Sequence, residues 1–219
     1  MIQVTHLKKR YGKKVVLEDI NFTIHPGECV AVVGENGCGK STLLKILAGV
    51  IKADEGTFSF YGKTNNKSGV CGYVPQENPL LEDLSVKDNL FLWGGKAALH
   101  GQWILEEFQL QNLLDTTVKE LSGGMKRRLS IACAMFKTPS VLLLDEPTAG
   151  LDLYYKEQIF SWIKSYQKRN GIVMLVTHEE NEILNADRCF LIEAGKVIEL
   201  KKEELSINRI KQIINKRYL

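Results

Sequence analysis

The passage from Cys29 to Ala48 constrains this chain more than any other. Cys29 to Val33 is an almost wholly apolar run, and Thr42 to Ala48 carries Leu and Ile at helical spacing. Between them lies Gly34-Glu35-Asn36-Gly37-Cys38-Gly39-Lys40-Ser41-Thr42. A buried strand that passes through a glycine-rich loop into a helix belongs in an α/β sheet. The loop also fits G-x-x-x-x-G-K-[ST], whose glycines let successive backbone N–H groups turn inward around an anion. The helix that follows adds its positive N-terminal end. In that reading Lys40 reaches the β and γ phosphates of a nucleotide and Ser41 offers its hydroxyl to Mg²⁺. The alternative is a glycine-rich turn without a ligand.

The rest of the chain agrees with such a sheet. Ile2 to Leu7 and Val15 to Ile24 alternate apolar and polar residues, which predicts an antiparallel, half-exposed sheet at the N-terminal end. Gly56 to Tyr61 and Val70 to Val74 read as short strands, and Ser85 to Phe108 as a helical stretch interrupted by Gly94-Gly95 and Gly101. Gly124 to Phe136, Leu153 to Lys168 and Glu180 to Asn185 read as helices that alternate with the buried strands Val141 to Leu144 and Ile172 to Thr177. Cys189 to Glu193 and Lys196 to Leu200 form a hairpin over Ala194-Gly195. Alternating strands and helices imply a mostly parallel sheet covered on both faces.

Val141-Leu142-Leu143-Leu144-Asp145-Glu146 places two carboxylates at the C-terminal end of a buried strand, where ligands sit in parallel sheets. Asp145 is the candidate magnesium partner, since an ion held mainly by phosphate oxygens and waters needs only one or two protein oxygens. Glu146 is the candidate that polarises the attacking water. Read alone, the pair could equally cap a strand end.

Composition excludes several classes. The five cysteines contain no C-x-x-C pair, which argues against a disulfide framework or a zinc site and for a reducing compartment. No apolar run approaches the roughly 20 residues of a membrane span, and Met1 to Arg10 lacks a secretory signal, so a cytoplasmic protein is expected. The net charge is +3, and residues 201–219 alone hold six Lys/Arg against two Glu, so the basicity belongs to a tail. No broad basic stripe of the kind nucleic acid requires is present, and no nucleic-acid partner is expected. Within the tail, Ile207, Ile210 and Ile214 share one helical face, which suggests docking on the chain's own domain.

Further residues, in order, resemble the nucleotide-binding subunits of ABC transporters, and the resemblance covers nearly the whole chain. Leu121-Ser122-Gly123-Gly124-Met125 looks like the ABC signature, Gln76 like the glutamine-loop residue, Ala149-Gly150-Leu151-Asp152 like the D-loop and His178 like the switch histidine. Tyr11 matches the aromatic that stacks on adenine. The resemblance implies a P-loop NTPase core with a mostly parallel sheet, an N-terminal antiparallel β-subdomain and a small helical subdomain near 77–122. One such domain would span 1–219. It implies ATP and Mg²⁺ as cofactors, with Gly34, Asn36, Gly37, Cys38, Gly39, Lys40, Ser41 and Thr42 around the phosphates. Ser41, Gln76 and Asp145 would attend the metal, and Lys40, Gln76, Glu146 and His178 the hydrolysis. It further implies a head-to-tail dimer in which Ser122, Gly123, Gly124 and Asp152 of one subunit close over ATP held by the other. The partner is then a membrane permease, with this chain peripheral on the inner face of the cell membrane.

Two departures carry information. Met125 stands where the general signature has glutamine, and Leu-Ser-Gly-Gly-Met-Lys-Arg looks like the exporters of drugs, lipids, polysaccharides or peptides. An importer subunit, or a soluble ABC ATPase acting on nucleic acid or translation, is the alternative. Cys38 occupies a loop position where the family often has alanine, and a thiol at a helix N-terminus is expected to have a lowered pKa and to react.

Overall fold

The computed structural model describes residues 1–64, 69–95, 101–200 and 205. Ten strands form one sheet in the order β5-β4-β1-β2-β10-β9-β3-β8-β7-β6. Its centre is parallel: β3 (Cys29–Val33) lies between β8 (Ile172–Val176) and β9 (Arg188–Glu193), and β7 (Val141–Asp145) lies between β8 and β6 (Cys71–Val74). β3, β7 and β8 are buried at every position, as strands covered on both faces must be. The other end is antiparallel, with β1 (Ile2–Tyr11) between β2 (Lys14–Ile24) and β4 (Glu55–Phe60), and β5 (Lys63–Thr64) on the edge. β10 (Lys196–Leu200) pairs antiparallel with β9 and touches β2 through the single parallel pair Lys196 and Asp19.

Alternation along each strand divides the interior in two. Val30, Val32, Leu143 and Met174 face a core shared with α1 (Lys40–Leu47) and with Leu7, Leu17 and Ile20 of the antiparallel end. Ala31, Val33, Leu144 and Leu175 face the opposite core, which holds Leu129 and Ile131 of α4 (Gly123–Met135) and Ile159 and Trp162 of α5 (Leu153–Lys168). A one-residue slip of any central strand would exchange these two sets.

The helical stretch after Ser85 is broken into α2 (Val86–Gly94) and α3 (Gln102–Glu107), followed by 3-10 turns at Gln111–Leu113 and Val118–Glu120. α2 starts on a reciprocal cap: Ser85 accepts from the Asp88 N–H at 3.1 Å, and the Asp88 carboxylate accepts from the Ser85 N–H at 3.3 Å. Gly94 and Gly101 both lie against the Phe136 ring where a side chain would collide, which is why glycine stands there. The short helix α6 is Glu180–Asn185. The predicted strands and helices thus recur with shifted ends: β1 runs on to Tyr11, and α1 begins at Lys40, two residues before the apolar spacing does. The basic tail lies outside the described residues except for Leu205. Among the described residues no helix is long and apolar enough to cross a membrane.

Candidate active site

The loop 34–39 leaves the C-terminal end of β3 and runs into α1, which packs on the Val30 and Val32 face of the sheet. α1 starts from Gly39 at φ 114°, a conformation that an L side chain rarely adopts, and a Cβ there would press on Val16 and Leu17. Gly39 brings no capping side chain to the first turn of α1. The Lys40 ammonium instead donates to two loop carbonyls, Gly34 O at 2.7 Å and Glu35 O at 2.9 Å. Burial pulls its pKa below the ordinary value, against the opposing pull of Cys38, Glu146 and Asp145. A partly desolvated cation at a helix N-terminus is a receptor for a multiply charged anion.

A cleft of about 730 Å³ opens above this loop. Asn36, Gly37, Gly39, Lys40, Ser41 and Thr42 form its floor, and Tyr11, half-exposed at the end of β1, stands at its side. Gln76, Glu146 and His178 come in from the ends of three parallel strands and complete the wall. Lys14 and Val16 of β2 also line it. Lys14 carries no motif and is found only through its place on β2 opposite Tyr11.

The catalytic candidates meet each other. Gln76 Nε2 donates to Glu146 Oε2 at 3.0 Å, and His178 Nε2 lies 3.7 Å from Glu146 Oε1. Glu146 adopts φ 49°, rare for a residue with a side chain, and its N–H is held by Val176 O at 2.8 Å. Strain is therefore stored where the carboxylate is aimed. Burial and the Lys40 charge lower the His178 pKa, with Glu146 opposing, and His178 Nε2 has no hydrogen-bond partner. Neutral imidazole is thus favoured in the site.

Asp145 lies beneath the cleft, 2% exposed. Burial raises its pKa, while a hydrogen bond from Ser41 and the charges of Lys45, Arg127 and Lys40 lower it. Its Oδ1 accepts from nothing. A buried carboxylate oxygen left open beside a serine hydroxyl suits a cation.

Not every predicted residue reaches the cleft. Ser122, Gly123 and Gly124 open α4 away from it, Ser122 capping the helix by accepting from the Met125 N–H at 3.3 Å. Asp152 caps α5 in the same way, accepting from the Tyr155 N–H at 3.1 Å. Cys38 requires a correction. α1 begins at Lys40, so the thiol is not in its first turn, and burial raises the Cys38 pKa rather than lowering it. The expectation of an activated thiol fails because desolvation outweighs the Lys40 charge.

Arg127 was missed as well. Inside a basic run, it is 4% exposed and points inward. It donates to Pro75 O and Asp145 O at 2.6 Å and to Pro147 O at 3.0 Å, tying α4 to the strand ends that carry Gln76 and Glu146. Its signal was helical phase: it stands three residues after Gly124 and four before Ile131, both buried.

The ABC transporter family profile matches residues 17–149. The chain is 38% identical over 211 residues to Nod factor export ATP-binding protein I of Burkholderia lata, covering 90% of this chain and 69% of that protein. The protein of the same name from Sinorhizobium fredii is 36% identical, with 90% of this chain and 61% of the relative covered. Among solved structures, a dimeric ATP-binding cassette in a post-hydrolysis state with ADP and Pi superposes with a TM-score of 0.80 at 27% identity, over 92% of this chain and 99% of that one. A nucleotide-free ATP-binding cassette from an ABC transporter, at 24% identity over 97% and 94% of the two chains, shares the fold with a TM-score of 0.83. A phosphate loop, paired acids and a histidine over one cleft, in a chain matched along most of its length, identify it as an ATP-binding, ATP-hydrolysing member of the ABC transporter family.

Proposed function

We propose that this chain hydrolyses MgATP to drive export through a separate membrane permease, working as a head-to-tail dimer, most simply of two copies of itself. The observation that carries this reading is the division of the motifs. Lys40, Gln76, Glu146 and His178 share one cleft, whereas Ser122 and Gly123 are exposed elsewhere, at the start of a second helix. A site so divided is completed by another copy, and the solved cassette that resembles this chain at 27% identity is dimeric.

In this account Lys40 exchanges its two loop carbonyls for the β and γ phosphates, and the N–H groups of Asn36 to Ser41 take the remaining oxygens. Ser41 and Asp145, with Gln76 at the rim, would hold Mg²⁺, which supplies neutralisation of the phosphate charge when bound. Among the described residues no group of three or more His, Cys, Asp or Glu is placed to hold a metal ion by itself. One carboxylate with a hydroxyl is the sparse donor set that suits an ion bound mainly through phosphate and water. Glu146 orients the attacking water and accepts its proton. Neutral His178 offers a ring N–H to the γ-phosphate. Gln76 occupies Glu146 Oε2 in the present state, so withdrawal of Gln76 frees that oxygen for water.

Gln76 opens the segment 77–122, which we take as a helical subdomain that receives the permease. Leu81, Leu84, Phe91, Leu92 and Trp93 are all more than a third exposed there. Both relatives cited are named for export, and Met125 is the signature residue that resembles exporters. The chain would then lie on the cytoplasmic face of the membrane. Purification from membranes in mild detergent tests this. An integral membrane protein should co-elute and stimulate hydrolysis; a chain that elutes alone, with an ATPase stimulated by RNA, contradicts it.

A further inference from the structure

A second cavity, of about 290 Å³, lies between the end of α3, α4 and α5 and shares no lining residue with the nucleotide cleft. Two buried donors line it. Arg128 and Trp162 are each 7% exposed, and neither Arg128 Nε nor Trp162 Nε1 has an acceptor among the described residues. Arg128 Nη1 donates to the neutral Gln109 Oε1 at 3.0 Å, and the guanidinium lies 5.3 Å from the centre of the Tyr155 ring. No ion pair among the described residues includes Arg128. A buried cation without a counter-charge is costly, and its neighbour Arg127 shows the usual solution, a ring of carbonyl acceptors.

The one carboxylate on the cavity wall among the described residues does not serve. Glu107 is taken by Arg169, at 2.7 Å and 3.4 Å. The remaining wall is mixed: Phe108 and Ile159 are apolar, and the Phe108 and Trp162 rings pack 5.0 Å apart. Water alone could meet the two N–H groups but would bring no charge.

We propose that this cavity binds a small organic carboxylate, the anionic head taken by Arg128 and the Trp162 N–H and the apolar body by Phe108 and Ile159. The planar guanidinium fork matches a carboxylate in geometry. A volume at the lower end of ligand pockets, roughly 300 Å³, restricts the body to about the size of one ring. The site also adjoins the signature. A side chain at Gly124 would collide with Tyr155, the same ring on which Arg128 rests.

Benzoate is the probe, with benzamide as its neutral isostere. Trp93 and Trp103 are exposed and do not line the cavity, so replacing both with Phe leaves Trp162 as the sole indole fluorophore among the chain's three tryptophans. Benzoate should change the Trp162 emission saturably, and benzamide or chloride at equal ionic strength should not. Gln109→Glu, at an exposed position, supplies Arg128 with a permanent carboxylate and should weaken the benzoate response by about tenfold or more. Arg128→Gln should abolish it in folded protein. No saturable change, an equal response to benzamide, or an undiminished response in Gln109→Glu overturns the proposal; the first outcome means that water alone completes the two donors, and the second that the cavity takes a ring without regard to its charge.

Discussion

Replacing Arg127 with Met tests how the strand ends at the active site are held. The substitution keeps an unbranched apolar stem and removes the guanidinium from a site that is 4% exposed. Three bonds of good length vanish, to Pro75 O, Asp145 O and Pro147 O, along with longer ones to Gln76 O and Asn78 Oδ1. Burial lowers the Arg127 pKa to about 10, so the group is charged at neutral pH. Hydrogen bonds to a charged donor contribute about 1.5 kcal/mol each at the lower end of their range. Three of them put the loss near 4–5 kcal/mol, less whatever the packed Met side chain recovers. For a domain of this size about 1 kcal/mol moves Tm by roughly 2–4 °C, so a fall of about 8–20 °C is expected by scanning calorimetry. Folded protein below that Tm should also show a lowered kcat, because the backbone of Gln76 and Asp145 loses a shared anchor. A Tm within about 3 °C of the parent would refute this reasoning.

Other consequences are simpler to state. Glu146→Gln should retain ATP binding while turnover falls by about 10²–10⁴-fold, and turnover within about threefold of the parent contradicts the assignment of Glu146 as base. The His178 pKa is depressed chiefly by burial, so its neutral form stabilises the fold above the ordinary value of 6.5, and that contribution is lost as pH falls through the folded pKa. NMR titration should place the His178 midpoint below 6.5, and a midpoint above it reverses the sign. Iodoacetamide should modify Cys38 more slowly than a solvent-exposed thiol at neutral pH, since burial raises its pKa; faster labelling restores the activated thiol.

Much of this fold was legible because its signals are local. The apolar runs of β3, β7 and β8 and the alternation of β1 and β2 carry their burial pattern in one dimension. The phosphate loop and the acid pair were legible for the same reason: each is contiguous, and each ends a buried strand. What escaped depends on approach in space. Arg127 reads as one of three basic residues until α4 packs and turns it toward Asp145. The Cys38 error has a similar origin, since the letters give proximity to a helix start but not the desolvation that decides the sign. The positive φ of Glu146 and the Gln76 contact belong to the assembled sheet, and nothing in their neighbours announces them.

The central claim is that Ser122 of one copy completes the cleft around Lys40 of another. Two inactive variants measure it directly: Lys40→Ala, which cannot hold the phosphates, and Ser122→Arg, which blocks the signature. Mixing them leaves one composite site intact in each mixed dimer, the Lys40 of one variant facing the Ser122 of the other. Random pairing then restores up to about one quarter of parental hydrolysis, well above either variant alone. If Ser122 serves the cleft of its own chain, every chain in the mixture carries a defect, and hydrolysis stays at the level of the separate variants.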